Sequence, residues 1–237
     1  MQNSIFLALD FPTWEETNDF LEKNKLTGVP VKVGMELFYR EGPIVIERLR
    51  ANGHPIFLDL KLHDIPTTIY KAMRNLASLD VTFVNVHGFG GSKMIEAAKQ
   101  GLEDGSVNGN IPKLLVVTLL TSMDQDVLMN ELQVNQPLSE MVVDLAALGK
   151  GAGADGVVCS AQEVIKMKQQ LGNDFLAVTP GIRLADTSTD DQKRVATPKA
   201  AKQAGADALV IGRSITQATN PQAMYNKAIE EWKHVSR

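Results

Sequence analysis

A single (β/α)8 barrel is the fold this sequence predicts, and three observations carry that expectation. Short β-rich runs alternate with longer amphipathic stretches along the whole chain. Eight such runs in 237 residues give about 30 residues per unit, the size of a βα repeat. Several runs are almost continuously apolar, as strands covered on both faces must be.

In chain order, strands are expected at 5–9, 31–33, 56–61, 83–86, 114–119, 156–159, 176–178 and 208–211. Between them, apolar residues recur at helical spacing over 14–22, 44–50, 69–77, 93–101, 141–150, 161–171 and 224–234. One junction is repeated two units apart. Ala152-Gly153-Ala154-Asp155 returns as Ala204-Gly205-Ala206-Asp207, in each case with a glycine able to close a helix in the left-handed conformation before a strand begins. No linker or low-complexity stretch divides the chain, so residues 1–237 are read as one domain. An open doubly wound sheet is the rival architecture, but no G-x-G-x-x-G follows the first strand.

Composition narrows the class. With 44% hydrophobic and 22% charged residues, the chain has the make-up of a soluble globular protein. A formal net charge of −4 speaks against a nucleic-acid binder. The single cysteine, Cys159, lies in an apolar run and reads as a small buried hydrophobe. The first residues carry no basic segment of the secretory type. No apolar run approaches the ~20 residues of a membrane span. A cytoplasmic enzyme is therefore expected.

In such barrels the active site lies at the C-terminal ends of the strands. Strand one ends in Asp10, strand two carries Lys32, and strand three ends in Asp59-Leu60-Lys61-Leu62-His63-Asp64-Ile65-Pro66. Asp59 and Lys61 are two apart, which on a flat strand places both side chains on one face, here the barrel interior. Interior charge is costly unless paired. A structural salt-bridge cluster, with Asp64 helping to start a helix at Pro66, would account for any one of these residues; all of them at one mouth point to chemistry.

The run Asp59-Leu60-Lys61-Leu62-His63-Asp64-Ile65-Pro66-Thr67-Thr68 is similar to the signature of the orotidine 5′-phosphate decarboxylases, D-x-K-x-x-D followed by Ile-Pro. The resemblance covers essentially the whole chain. It implies a (β/α)8 barrel that converts orotidine monophosphate to uridine monophosphate and CO2 with no cofactor and no metal. It makes Lys61 the proton donor, with Asp59, Asp64 and Lys32 completing the charged network. Asp10 stands at the ribose-binding position. Thr121-Ser122 stand where the family contacts the pyrimidine, and Pro180 and Arg183 at the start of a mobile loop. Gln192, Gly212 and Arg213 complete a phosphate site. The resemblance also implies a homodimer in which Asp64, Ile65 and Thr68 reach into the partner's site. Two alternatives stay open: a metal-dependent sugar-phosphate decarboxylase or aldolase that shares D-x-K-x-x-D, and a non-catalytic phosphate-ligand sensor. The first uses a carboxylate on the second strand, where this chain has Lys32, with Glu36 a helical turn later.

A phosphate site is also legible without the resemblance. Barrels often bind phosphate with the loops after strands seven and eight. Gly212 admits backbone N–H groups close to an anion and Arg213 can pair it bidentately, with Arg183 on the neighbouring loop. Residues 181–193 (GIRLADTSTDDQK) read as a lid over that phosphate, with Gly181 as hinge. His63 alone makes no metal site, His87-Gly88-Phe89-Gly90-Gly91 reads as a tight turn rather than a P-loop, and His54 and His234 read as surface residues.

Overall fold

Eight parallel strands close into one barrel in sequence order, β8 pairing back onto β1. The computed structural model describes residues 5–107, 109–184 and 195–233. The elements run β1 (Ile5–Ala8), α1 (Trp14–Lys23), β2 (Val31–Gly34), α2 (Met35–Glu41), α3 (Ile44–Ala51), β3 (Ile56–Leu62), α4 (Pro66–Ala77), β4 (Phe83–His87), α5 (Gly91–Gly105), β5 (Lys113–Val117), α6 (Leu138–Gly151), β6 (Gly156–Val158), α7 (Ala161–Leu171), β7 (Leu176–Thr179), α8 (Pro198–Ala204), β8 (Ala208–Ile211), α9 (Arg213–Thr216) and α10 (Pro221–Lys233). All eight expected strands form. The short helices α2, α8 and α9 lie outside the expected pattern, since two turns or fewer give periodicity too little length to register.

The apolar runs are explained by burial on both faces. Leu7, Val33, Leu58, Val84, Val116, Val157, Ala177 and Leu209 face outward and pack with the helices, while Phe6, Phe57, Phe83, Leu115, Val178 and Ala208 fill the interior. Phe6, Phe57 and Phe83 meet at ring-centroid distances of 5.3–6.2 Å and plug the barrel below its C-terminal mouth. Further along the same inward columns come Ala8 then Asp10, Asp59 after Phe57, and Asn85 after Phe83, so the interior changes from apolar to polar toward the mouth.

The opposite end is held by the repeated junction. Asp155 accepts from the Leu114 backbone N–H at 2.9 Å and from Lys99 at 2.8 Å. Asp207 repeats the arrangement with Ala177 N–H and Lys168, both at 2.7 Å. In each case an aspartate at the foot of one strand pins the foot of the preceding strand and a lysine of the helix before it. Burial pushes Asp155 up, but its hydrogen bonds outweigh this and hold the carboxyl below the usual range. Gly153 and Gly205 take the left-handed conformation expected of them, with φ of +86° and +97°.

On the outer ring α4 and α5 touch backbone to backbone. A Cβ on Gly101 would stand 2.3 Å from the Tyr70 carbonyl oxygen, and one on Gly105 2.1 Å from that of Arg74. This contact fixes α4, which Pro66 begins and which carries Thr68. Among the described residues, no helix is long and apolar enough to cross a membrane.

His54 is not on the surface but only 4% exposed, because its ring ties α3 and β3 to the loop before β2. Nδ1 lies 2.7 Å from the Val29 carbonyl and Nε2 accepts from Gly28 N–H at 3.4 Å. His234 lies outside the described residues. Burial lowers the His54 pKa from its ordinary 6.5, outweighing the Val29 hydrogen bond. The unfolded chain therefore takes up this proton first, and stability falls as pH drops below 6.5 until the folded ring protonates as well. Urea unfolding between pH 5 and 7 should show this decline, and His54→Gln, which keeps a donor and an acceptor without titrating, should flatten it. Superimposable profiles for the two proteins would contradict the assignment.

Candidate active site

The expected charges converge at the mouth. Lys32 rises from β2 as a buried ammonium, hydrogen-bonded to Asp10 Oδ1 at 2.5 Å and 3.9 Å from Asp59 Oδ2. Lys61 Nζ donates to Asp59 Oδ1 at 2.8 Å. Carboxylates and ammonium groups thus alternate in the order Asp10, Lys32, Asp59, Lys61. Gly34 leaves room for this: a Cβ there would lie 3.0 Å from Lys32 Nζ.

Asp59 and Lys61 meet for a reason other than flat-strand alternation. Pairing of β3 with β4 steps from Leu58↔Val84 to Leu62↔Val86, four residues of β3 against two of β4. Within this bulge Lys61 adopts φ +52°, the left-handed region that a long side chain rarely enters. Bulges beside active sites re-aim side chains, and this one turns the Lys61 ammonium back onto Asp59. Asn85, which the sequence reading passed over, closes the arrangement from β4. Its Oδ1 accepts from Lys61 N–H and its Nδ2 donates to Asp59 Oδ1, both at 2.7 Å. The available signal was a lone amide inside the apolar strand Phe83-Val84-Asn85-Val86.

The pocket over this array is lined by Asp10, Lys32, Asp59 and Lys61 on one side and by Pro180, Arg183, Gly212 and Arg213 on the other. Phe57 and Val210 contribute apolar wall, and Thr121 also lines the pocket. A Cβ on Gly212 would sit 3.3 Å from that of Ala8, so two small residues keep the space open between Arg213 and Asp10. The two described ends flanking residues 185–194 are stitched together by Arg183 N–H to the Ala196 carbonyl at 2.9 Å and Ala196 N–H to that of Gly181 at 3.1 Å. Gly181 has φ +75°. Residues 185–194, with Gln192, lie outside the described residues.

Four expected site residues are not part of this pocket. Ser122 is exposed beside Thr121 but does not line it. Asp64, Ile65 and Thr68 are exposed, and among the described residues the Asp64 carboxylate accepts only its neighbour's N–H, Ile65, at 2.7 Å. Nearby, His63 stacks on His87 and His87 on Phe89, at 5.7 and 5.5 Å between centroids. Burial, then the charges of His63 and Lys61, lower the His87 pKa. The turn Gly88–Gly90 is a single 3-10 turn, as a tight βα connection requires. Among the described residues no three His, Cys, Asp or Glu side chains are grouped to hold a metal.

Paired charge concentrated at the C-terminal end of the strands, over an apolar plug, defines a (β/α)8-barrel enzyme. Residues 3–228 match the model of the orotidine 5′-phosphate decarboxylase / HUMPS family, and the chain belongs to that family. It is 52% identical over 230 residues to the orotidine 5′-phosphate decarboxylase of Listeria monocytogenes serovar 1/2a, covering 97% of this chain and 99% of that protein. It is 51% identical over 234 residues to the one of Geobacillus sp. strain WCH70, covering 98% of each. The crystal structure of orotidine 5′-phosphate decarboxylase from Lactobacillus acidophilus superposes with a TM-score of 0.88 at 47% identity, covering 98% of this chain and 99% of that one.

The backbone at Lys61 generates a direct test. Lys61→Gly and Lys61→Ala remove the same charge and differ only in how well they accept a positive φ. Lys61→Gly should be the more stable by about 1 kcal/mol in urea unfolding, since alanine at φ > 0 is strained. Equal stabilities, or a more stable alanine variant, would show that the left-handed bend is absent in solution.

Proposed function

We propose that this protein is a carboxy-lyase that converts orotidine 5′-phosphate to uridine 5′-phosphate and CO2 in de novo pyrimidine synthesis, in the cytoplasm. One observation carries the reading: the Lys32–Asp59–Lys61 array, of which Asp59 and Lys61 belong to the run by which the family is recognised and Lys32 comes from β2. Loss of CO2 breaks a C–C bond and leaves its electron pair on a pyrimidine carbon. With no cofactor to receive that pair, fixed cations must stabilise it as it develops. In this reading Lys61 is the nearest cation and then gives its proton to that carbon. Asp59 holds the ammonium and crowds the substrate carboxylate. Asp10 takes the ribose, Lys32 completes the charged network, and Thr121, which lines the pocket where Ser122 does not, takes the pyrimidine. Pro180, Arg183, Gln192, Gly212 and Arg213 enclose the phosphate, two guanidiniums supplying bidentate pairing. Phosphate binding far from the broken bond supplies binding energy that lowers the barrier.

The metal-dependent alternative is less well supported. Glu36 is exposed and does not line the pocket, whereas the Lys32 ammonium fills the second-strand position. The test follows the ultraviolet absorbance of orotidine monophosphate with and without chelator. Turnover should be insensitive to chelator, and Lys61→Ala, still folded, should lose far more than tenfold, because general acid and electrostatic contributions each reach roughly 10²–10⁴-fold. Activity abolished by chelator and restored by Mg2+ would replace this reading with the sugar-phosphate alternative.

The reading includes a two-fold homodimer in which Asp64, Ile65 and Thr68 of each chain complete the partner's site. Their position outside their own pocket supports it. So does the exposed apolar rim at the same end, where Met35, Tyr39, Ile65 and Phe89 stand uncovered. A two-fold interface exchanges the same residues reciprocally. Mixing inactive Lys61→Ala with inactive Asp64→Ala should place both defects in one site of a heterodimer and none in the other. Activity should return up to half the wild-type value per heterodimer. Confirmed subunit exchange without recovered activity would refute shared sites.

A further inference from the structure

The bulge in β3 poses a physical problem that Asn85 solves. At the step from Leu58↔Val84 to Leu62↔Val86, the ladder with β4 skips the segment that holds Asp59 and Lys61. A backbone N–H buried there needs an acceptor, and a bend at φ +52° needs something to hold it. Asn85 lies inside the skipped stretch of β4 and is 1% exposed. Its carbonyl oxygen takes the Lys61 N–H at 2.7 Å, standing in for the missing backbone partner. Its amide N–H binds Asp59 Oδ1 at 2.7 Å, the same oxygen that receives Lys61 Nζ at 2.8 Å.

We propose that Asn85 is a positioning residue of the reaction: one amide fixes both the backbone of Lys61 and the carboxylate of Asp59, and so sets the line along which the Lys61 ammonium points. The inference rests on the decarboxylase reading of the site. Asn85 does not line the pocket and touches no substrate in this scheme. Both ends of the amide are needed. An acceptor alone would leave Asp59 Oδ1 held only by the cation it is meant to orient. A donor alone would leave the Lys61 N–H unpaired in a buried site. The distinction between amide and carboxylic acid matters equally. Asn85→Asp would set a second carboxylate 2.7 Å from Asp59 where the amide N–H now stands, and two carboxylates so close cannot both ionise at ordinary pH.

Three variants test this: Asn85→Leu, which removes both hydrogen bonds at similar volume; Asn85→Asp, which keeps the acceptor; and Asn85→Ser, which shortens the side chain but keeps it polar. Each is measured with the wild type for kcat, for uridine monophosphate affinity by calorimetry, and for the pH profile of kcat/KM. Misplacement of a reacting group by about 1 Å costs on the order of 100-fold. Asn85→Leu and Asn85→Ser should therefore lose about that much kcat while nucleotide affinity stays within threefold. In Asn85→Asp the acidic limb of the profile should move up in pH, which a merely structural loss would not produce. Folded variants with kcat within threefold of wild type and an unmoved acidic limb would overturn the proposal. If Asn85→Leu fails to fold, Asn85→Ser is judged by the same criteria. Crystal structures of wild type and Asn85→Ser read the Lys61–Asp59 separation without reference to activity. An inactive wild type would thus refute the decarboxylase reading alone, and an unchanged separation would refute the role of Asn85.

Discussion

Asp59 is the group on which the mouth of this barrel depends. One carboxylate receives the Lys61 ammonium and the Asn85 amide on Oδ1 and faces the Lys32 ammonium across Oδ2. Lys32 is in turn neutralised from its other side by Asp10. Charges gathered in a largely buried site are tolerable only when each has a partner and its remaining hydrogen-bonding capacity is used. Each member of the alternating series satisfies its neighbours, so the series stands or falls together. Deleting one member does more than remove one contact, because it leaves the next charge uncompensated.

The rest of the fold makes room for that series and confines it. Phe6, Phe57 and Phe83 close the interior below the mouth, so the charges sit on an apolar floor instead of in an open channel. Ala8, Gly34 and Gly212 are small where the polar side chains need space. Structural ion pairs are placed elsewhere. The Asp155 and Asp207 clamps sit at the feet of the strands, at the far end of the barrel, where they hold adjacent strands in register. Such a division leaves the loops at the C-terminal end to chemistry and the opposite end to stability.

The β3 bulge links these two requirements. A regular strand would send Asp59 and Lys61 up the wall in parallel. The inserted residues and the positive φ of Lys61 instead fold the ammonium back to the carboxylate two residues before it. Strain stored this way persists only where the surroundings over-determine the conformation. Asn85 on one side and Asp59 on the other do so here. The same stretch of chain then turns outward, so that Asp64 and Ile65 face away from the site their motif begins.

Much of this was legible from the sequence alone, for physical reasons. Two-sided burial requires apolar strands, and regular βα units impose a regular spacing, so the eight strands could be read from 237 residues. Strand ends must meet at one mouth in a barrel, so Asp10, Lys32, Asp59, Lys61, Arg183 and Arg213 could be gathered before any geometry was known. Other features depend on contacts between distant segments. His54 looks like any polar residue near a turn until the loop before β2 folds over it and offers a carbonyl and an N–H. Ser122 follows Thr121 in sequence, but the turn that carries both presents only Thr121 to the pocket. Asn85 was an unremarked amide in a strand, and it acquires a partner only when β3 slips against β4. Periodicity reports which face of an element is buried. It carries no information about register shifts or backbone handedness, which the packing of neighbouring strands decides, and that is why the direction of the Lys61 side chain had to come from the tertiary structure.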